Sequence, residues 1–332
     1  MQFDWMVACY PGHGVHRDYP LLRGLDRGSV MDGVDAITGA GLEGLWVPDH
    51  FILGPEHEEF EVWTMLAALA ERTDEVDIGP LVTSITYRNP ALLAKMATTV
   101  DHLSDGRLRL GLGAGWHREE HHRYGYDFPS VETRFEMLEE GLEVLTRMFT
   151  EAEPTFEGEH YHIDGAYNQP PPVQDPYPPI VIGGASPRML RLMARYGDEW
   201  NVEISARNRG PSISFKAKKL DEYLEAEGRD PATIERSWLG HIVVREDPTA
   251  LEAICEEIFP LPWGEEEDIE DQLTAENAWE KGQMLIGTPA EVAERIEHIR
   301  GLGFEKLQVM FMDYPSREGV ELFADEVMPE FQ

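Results

Sequence analysis

The chain has 332 residues, of which 42% are hydrophobic and 30 are glycine, so it is neither a disordered chain nor a minimal domain that needs a disulfide or metal staple. Asp and Glu total 63 against 28 Lys and Arg, a formal charge of −35. Such a surface repels phosphates and anionic headgroups, which excludes nucleic acid and membrane surfaces as partners.

Short apolar runs alternate with amphipathic helical stretches, the pattern of a parallel α/β sheet. Strands are expected at Phe3–Cys9, Gly44–Val47, Val76–Ser84, Leu108–Gly113, Ile180–Ile182, Glu199–Val202, Trp238–Val244 and Lys306–Phe311. Helices are expected between them at Ser29–Ala40, Val62–Glu71, Pro90–His102, Pro187–Tyr196, Pro211–Glu227, Pro289–Arg300 and Ser316–Val327. A further helix runs to Phe149 with Ser130 as its N-cap. Eight strand–helix pairs predict a single-domain (β/α)8 TIM barrel over residues 1–332, with insertions at 153–178 and 247–281. The first insertion alternates like a hairpin over Thr155–Asp164. The second carries the acidic run Glu265–Asp268, read as a mobile, solvated helical excursion.

Cys9 and Cys255 are too distant for a disulfide framework or a zinc knuckle. Met1–Tyr10 carries Asp4 and no basic region, so it does not read as a signal peptide, and no apolar run approaches the ~18 residues of a membrane span. Only six of the 28 cations are Lys, and the acidic excess reads as that of a halophile's cytoplasmic protein. The melting temperature is therefore expected to rise from dilute to molar potassium chloride, with most of the gain reached near ~1 M, where the Debye length is about 3 Å. A flat or falling melting temperature over that range removes the halophile reading.

In a TIM barrel the chemistry lies after the carboxyl ends of the strands. Asp49 and His50 follow strand two and form a candidate acid–base pair, because a carboxylate can set an imidazole tautomer; a structural hydrogen bond is the plainer alternative. Gly183, Gly184, Ala185 and Ser186 precede a helix that starts at Pro187, where backbone amides could hold a phosphate or merely make a tight turn. Gly111–Gly115 lacks the third glycine and the later acidic residue of a dinucleotide fingerprint. His117, His121 and His122 lack the Glu of the zincin pattern, since Arg118 follows the first His, so no metal is expected. Trp5, Trp46, Trp63, Trp116 and Trp200 could wall a planar ligand or fill the core.

Taken in order, Gly44–Phe51, Leu81–Ala91, Gly106–Trp116, Thr133–Phe135, Ile180–Gly184 and Ile286–Val292 resemble the bacterial-luciferase-like monooxygenase superfamily, and within it the branch using the deazaflavin coenzyme F420. The resemblance implies a non-proline cis peptide at Ser84–Ile85 supporting the cofactor ring, with Thr83, Gly113 and Gly115 beside it. It implies His50 as proton donor or substrate contact, Asp49 near the ring, the turn at Gly183–Ser186 on the cofactor phosphate, and Glu120 and Arg134 as tail contacts. General barrel experience puts phosphate after strands seven and eight instead. Hydride transfer between F420 and a small organic substrate is the expected activity, in a homodimer or higher homo-oligomer. FMN-dependent two-component monooxygenation on the same fold is the alternative. Tyr10–Gly14 matches no substrate motif, so the substrate is not legible.

Overall fold

The structure, a computed structural model, describes residues 1–11, 19–53, 57–203, 213–259, 274–279 and 284–332. In chain order, β1 (Gln2–Met6) is followed by α1 (Arg27–Gly39), β2 (Gly44–Val47), α2 (Val62–Arg72), β3 (Asp77–Pro80), β4 (Thr83–Ser84) and α3 (Pro90–Leu103). Next come β5 (Leu110–Gly113), the short α4 (Arg118–Tyr124) and the long α5 (Val131–Thr150). β6 (Phe156–Glu157) and β7 (His162–Ile163) pair as an antiparallel hairpin separate from the main sheet, as the alternation at Thr155–Asp164 anticipates. The chain continues through β8 (Ile180–Gly183), α6 (Pro187–Tyr196), β9 (Glu199–Glu203), α7 (Ile213–Ala226), β10 (Glu235–Val244) and α8 (Pro248–Ile258). It ends with β11 (Leu285–Gly287), α9 (Pro289–Gly301), β12 (Lys306–Phe311) and α10 (Glu318–Leu322).

The main sheet runs β3-β2-β1-β12-β10-β9-β8-β5-β4 with parallel pairing throughout, and β11 adds beside β10. A parallel bridge between Ile78 and Leu108 and the pairing of Thr83–Ser84 with Leu112–Gly113 bring the two ends of the sheet together as a barrel. Helix starts follow local chemistry. Asn89, Ser186 and Asp247 each accept a backbone N–H in the first turn, and a proline stands next at Pro90, Pro187 and Pro248. Ser130 caps α5 through its bond from Thr133 N. α1 begins two residues earlier than expected, at Arg27, because Asp26 caps it by accepting from Ser29 N. Among the described residues no helix is long and apolar enough to cross a membrane.

Three sequence expectations are corrected. The apolar run Val76–Ser84 is two strands, because the chain breaks direction between Pro80 and Thr83. The non-proline cis peptide falls inside that break, at Leu81–Val82 and not at Ser84–Ile85. Ile85 is instead a fully buried core residue whose side chain a Cβ on Gly141 of α5 would strike. The expected final helix, Ser316–Val327, is a single α-turn region at α10 that passes into π and 3-10 turns. The acidic run at 265–268 lies outside the described residues; within the second expected insertion α8 is an ordered helix.

The interior of the barrel is charged at its amino end. Glu199 accepts from Arg109 Nη2 at 2.7 Å and from Lys306 Nζ at 3.0 Å, and Asp4 accepts from Trp46 Nε1 at 2.8 Å. Burial pushes the Asp4 carboxyl up to about 6 against the pull of Lys306. Above this layer Asn201 Nδ2 donates to Ser237 Oγ (3.0 Å) and Gln308 Oε1 (2.7 Å). At the carboxyl end the strands open onto a cavity.

Candidate active site

The cavity, of about 300 Å³, is lined by the apolar Leu81, Val82, Val202 and Leu239 and by the polar Asp49, His50, Ser84, Tyr87, Asn201 and Glu203. Gly115, Trp116, Gly183, Gly184 and Ala185 also line it. Val82 forms the apolar floor. A Cβ at Gly113 would sit 2.7 Å from its Cγ2, and one at Gly183 would sit 3.2 Å from its Cγ1, so these two glycines are where β5 and β8 make room for that side chain.

His50 is held by an acidic residue distant in sequence. Its Nδ1 lies 3.0 Å from both carboxylate oxygens of Glu120, which stands fully buried in the first turn of α4. Glu120 also accepts from Phe51 N (2.9 Å), Ile52 N (3.1 Å) and the Tyr87 hydroxyl. Burial opposes its ionisation, but the His50 and Tyr87 hydrogen bonds and the backbone donors outweigh it and hold the carboxyl down at about 2. Glu120 is thus an anion at neutral pH, and His50 Nδ1 carries the proton between them. The His50 ring packs edge-on to Trp116, with centroids 5.3 Å apart.

Asp49 does not serve His50. Its carboxylate takes Arg88 Nη1 at 2.7 Å and Nη2 at 3.0 Å, a bidentate pair, and the Ser84 amide at 3.0 Å. Burial raises its carboxyl above the usual range despite Arg88. The expected Asp49–His50 pair is therefore corrected to Glu120–His50. Adjacent residues leaving a strand project to opposite sides, and α4 folds the Glu120 carboxylate onto the His50 side.

Glu120, expected as a tail contact, is fully buried and bonded to His50, Tyr87 and the amides of Phe51 and Ile52. Arg134 is spent on the carbonyls of Gly115 (3.2 Å) and Pro129 (2.6 Å) and over the Phe128 ring. Thr83 lies in β4 with a buried hydroxyl that has no hydrogen-bond partner among the described residues. Gly115 sits at φ +74 against the Ser84 hydroxyl. In the expected phosphate turn, the Gly184 amide already donates to Asn201 O (2.9 Å), and Ser186 Oγ caps α6 by accepting from Met189 N (3.2 Å). Any anion there meets the amino end of α6 beyond Gly184. Of the five tryptophans, Trp116 lines the cavity, while Trp5, Trp46, Trp63 and Trp200 are core. His121 is engaged at both ring nitrogens, by His117 O (2.8 Å) and Thr86 Oγ1 (2.7 Å), and His122 is exposed.

Sequence reasoning gave no role to Tyr87, Thr86 or Val82, and weighed His121 only as a metal ligand. The only local sign was the spacing of His117, Glu120 and His121, three and four apart, which puts them on one face of α4.

The family described as luciferase-like monooxygenase matches residues 25–306. An F420-dependent glucose-6-phosphate dehydrogenase of Kineococcus radiotolerans is 27% identical over 322 residues, 91% of this chain and 92% of its own. An FMNH(2)-dependent dimethylsulfone monooxygenase of Pseudomonas putida is 26% identical over 260 residues, 73% and 70% of the two chains. A solved F420-dependent secondary alcohol dehydrogenase, in complex with an F420–acetone adduct, superposes with a TM-score of 0.78 at 21% identity, covering 100% of this chain and 99% of its own.

Proposed function

The chain belongs to the luciferase-like monooxygenase family and is an oxidoreductase, and from that premise we propose that it transfers a hydride between coenzyme F420 and a small hydroxylated or carbonyl substrate, with His50 exchanging the proton. The observation that carries this reading is the buried Glu120 carboxylate clamped on His50 Nδ1 at the mouth of the cavity. A fixed carboxylate on Nδ1 directs the other ring nitrogen, Nε2, to proton exchange and stabilises the imidazolium that forms when Nε2 takes a proton.

The cavity suits a tricyclic ring that is apolar on its faces and polar at its edges. Val82 would support a face, and Ser84 and Asn201 would meet an edge. The end of α6 beyond Gly184 would receive the phosphate of the side chain. When bound, such a cofactor supplies the hydride donor or acceptor. The protein binds and orients it, and His50 accepts the hydroxyl proton when an alcohol is oxidised or returns it when a carbonyl is reduced. The rival reading, oxygenation with reduced FMN, draws on the dimethylsulfone monooxygenase relative.

Fluorescence titration with F420 and with FMN tests the choice. F420 is expected to bind at least about tenfold tighter, and anaerobic turnover is expected on a panel of small alcohols and sugar phosphates that includes glucose 6-phosphate. His50→Ala should slow that turnover by about 10²- to 10⁴-fold while F420 affinity stays within a few-fold. Oxygen consumption with reduced FMN, or full activity in His50→Ala, would reject the F420 reading.

A further inference from the structure

A chain of three hydrogen bonds runs from the cavity wall into the protein. Ser84 Oγ is 2.7 Å from Thr86 Oγ1, Thr86 Oγ1 is 2.7 Å from His121 Nε2, and His121 Nδ1 is 2.8 Å from His117 O. Only the last link has a fixed direction. A carbonyl oxygen can only accept, so His121 Nδ1 carries a proton and donates it. In the neutral ring Nε2 must then accept, which uses the single hydrogen of Thr86. Ser84 must in turn donate to Thr86, which uses its own.

We propose that Thr86 and His121 are positioning residues that leave Ser84 Oγ presenting only lone pairs to the cavity, so that a bound flavin or deazaflavin meets it with an N–H or O–H donor. The proposal rests on the cavity being the cofactor site. Several features keep the chain from rearranging. The Ser84 amide is tied to Asp49, and Gly115 stands against both hydroxyls, where a Cβ would strike Ser84 Oγ and lie 3.1 Å from Thr86 Oγ1. His121 is fully buried.

The same logic makes the chain reversible. If His121 gains a second proton, Nε2–H donates to Thr86, Thr86 donates to Ser84, and Ser84 turns a donor toward the ligand. Facing His121 are Glu120 and His117 on α4 and at its cap, His50 from the loop after β2, Thr86 and Tyr87 from the loop after β4, Arg134 from α5, and Tyr126 and Phe128 from the loop after α4. Burial lowers the His121 ring's tendency to protonate; the hydrogen bond to the His117 carbonyl and then Glu120 oppose this, while Arg134 and His50 add to it, and the net direction is down. The neutral, acceptor-presenting state therefore holds at pH 7 and is lost only in acid.

Nitrogen-15 spectra of histidine-labelled protein, with His121 assigned by its loss in His121→Gln, should show protonated Nδ1 and bare Nε2 at pH 7.5. A protonated Nε2 there overturns the proposal whatever the ligand. F420 and FMN affinities measured from pH 8 to pH 5 supply the second readout. In the wild type and in Thr86→Ser, which keeps the chain, acid should weaken binding roughly five- to tenfold more than in Thr86→Val, which cuts it. Equal pH dependence in Thr86→Val and wild type overturns the proposal, because every other ionisable side chain around the cavity is the same in both. If neither probe binds the wild type, the cofactor reading fails, and the His121 tautomer alone decides the hydrogen-bond chain.

Discussion

Glu120→Gln is expected to lower turnover by about 10²- to 10³-fold and to cost about 2–4 kcal/mol of stability at pH 7. The carboxylate accepts from His50 Nδ1, Phe51 N, Ile52 N and the Tyr87 hydroxyl, and nothing in that shell needs a donor. A glutamine amide keeps one oxygen but points N–H groups at atoms that themselves donate. The buried mismatch costs about 1–3 kcal/mol for each group left unsatisfied. His50 then loses the anion that fixes its tautomer. The pH dependence identifies the cause. The Glu120 carboxyl lies near 2 in the folded protein against an ordinary 4.5, so its contribution, about 3 kcal/mol, is fully present above pH 4.5 and disappears as pH falls toward 2. Urea midpoints of wild type and Glu120→Gln should therefore converge in acid. A stability gap that persists unchanged at pH 3, or turnover within threefold of wild type, would refute the role given to this carboxylate.

Arg88→Met should destabilise by about 3–5 kcal/mol at pH 8, because it strands the buried Asp49 carboxylate with little beyond the Ser84 amide. Asp49 already has its carboxyl raised by burial with Arg88 present, and without the guanidinium the rise must grow. A carboxyl raised in the folded state holds its proton where the unfolded chain has released it. Stability therefore falls as pH climbs from the unfolded value through the folded one. The Arg88→Met deficit should accordingly be small near pH 5 and complete at pH 8. Asp49→Leu combined with Arg88→Met removes the stranded charge and should regain much of the loss. Denaturant unfolding of both variants at the two pH values checks this, and a deficit equal at pH 5 and pH 8 would show that Asp49 is not the group responsible. Because Asp49 also holds the Ser84 amide, the single variant should bind cofactor more weakly as well.

The barrel itself was legible because its signals are local. A short run of strand-forming residues bounded by turn signals marks a strand within four or five residues, as in Leu110-Gly111-Leu112-Gly113, which is buried throughout, and an Asn, Ser or Asp with a following Pro marks a helix start without reference to anything distant. The region of the site was legible for a similar reason, since catalytic groups collect where strands end, and His50, Ser84 and Gly183 all line the cavity. The partnerships were not. Asp49 adjoins His50 in the chain yet serves Arg88, whereas Glu120, 70 residues on, serves His50. Which carboxylate reaches an imidazole depends on the side of the strand each residue leaves and on where a later helix is set down. The same holds for Val82, whose place on the cavity floor depends on Gly113 and Gly183 from two other strands, and for the tryptophans, four of which the barrel turned into its core. Sequence determined the elements and the end of the barrel where the candidate site lies, since these follow from nearest neighbours along the chain. Tertiary structure alone decided which groups share a proton, because that requires two distant segments within 3 Å of each other.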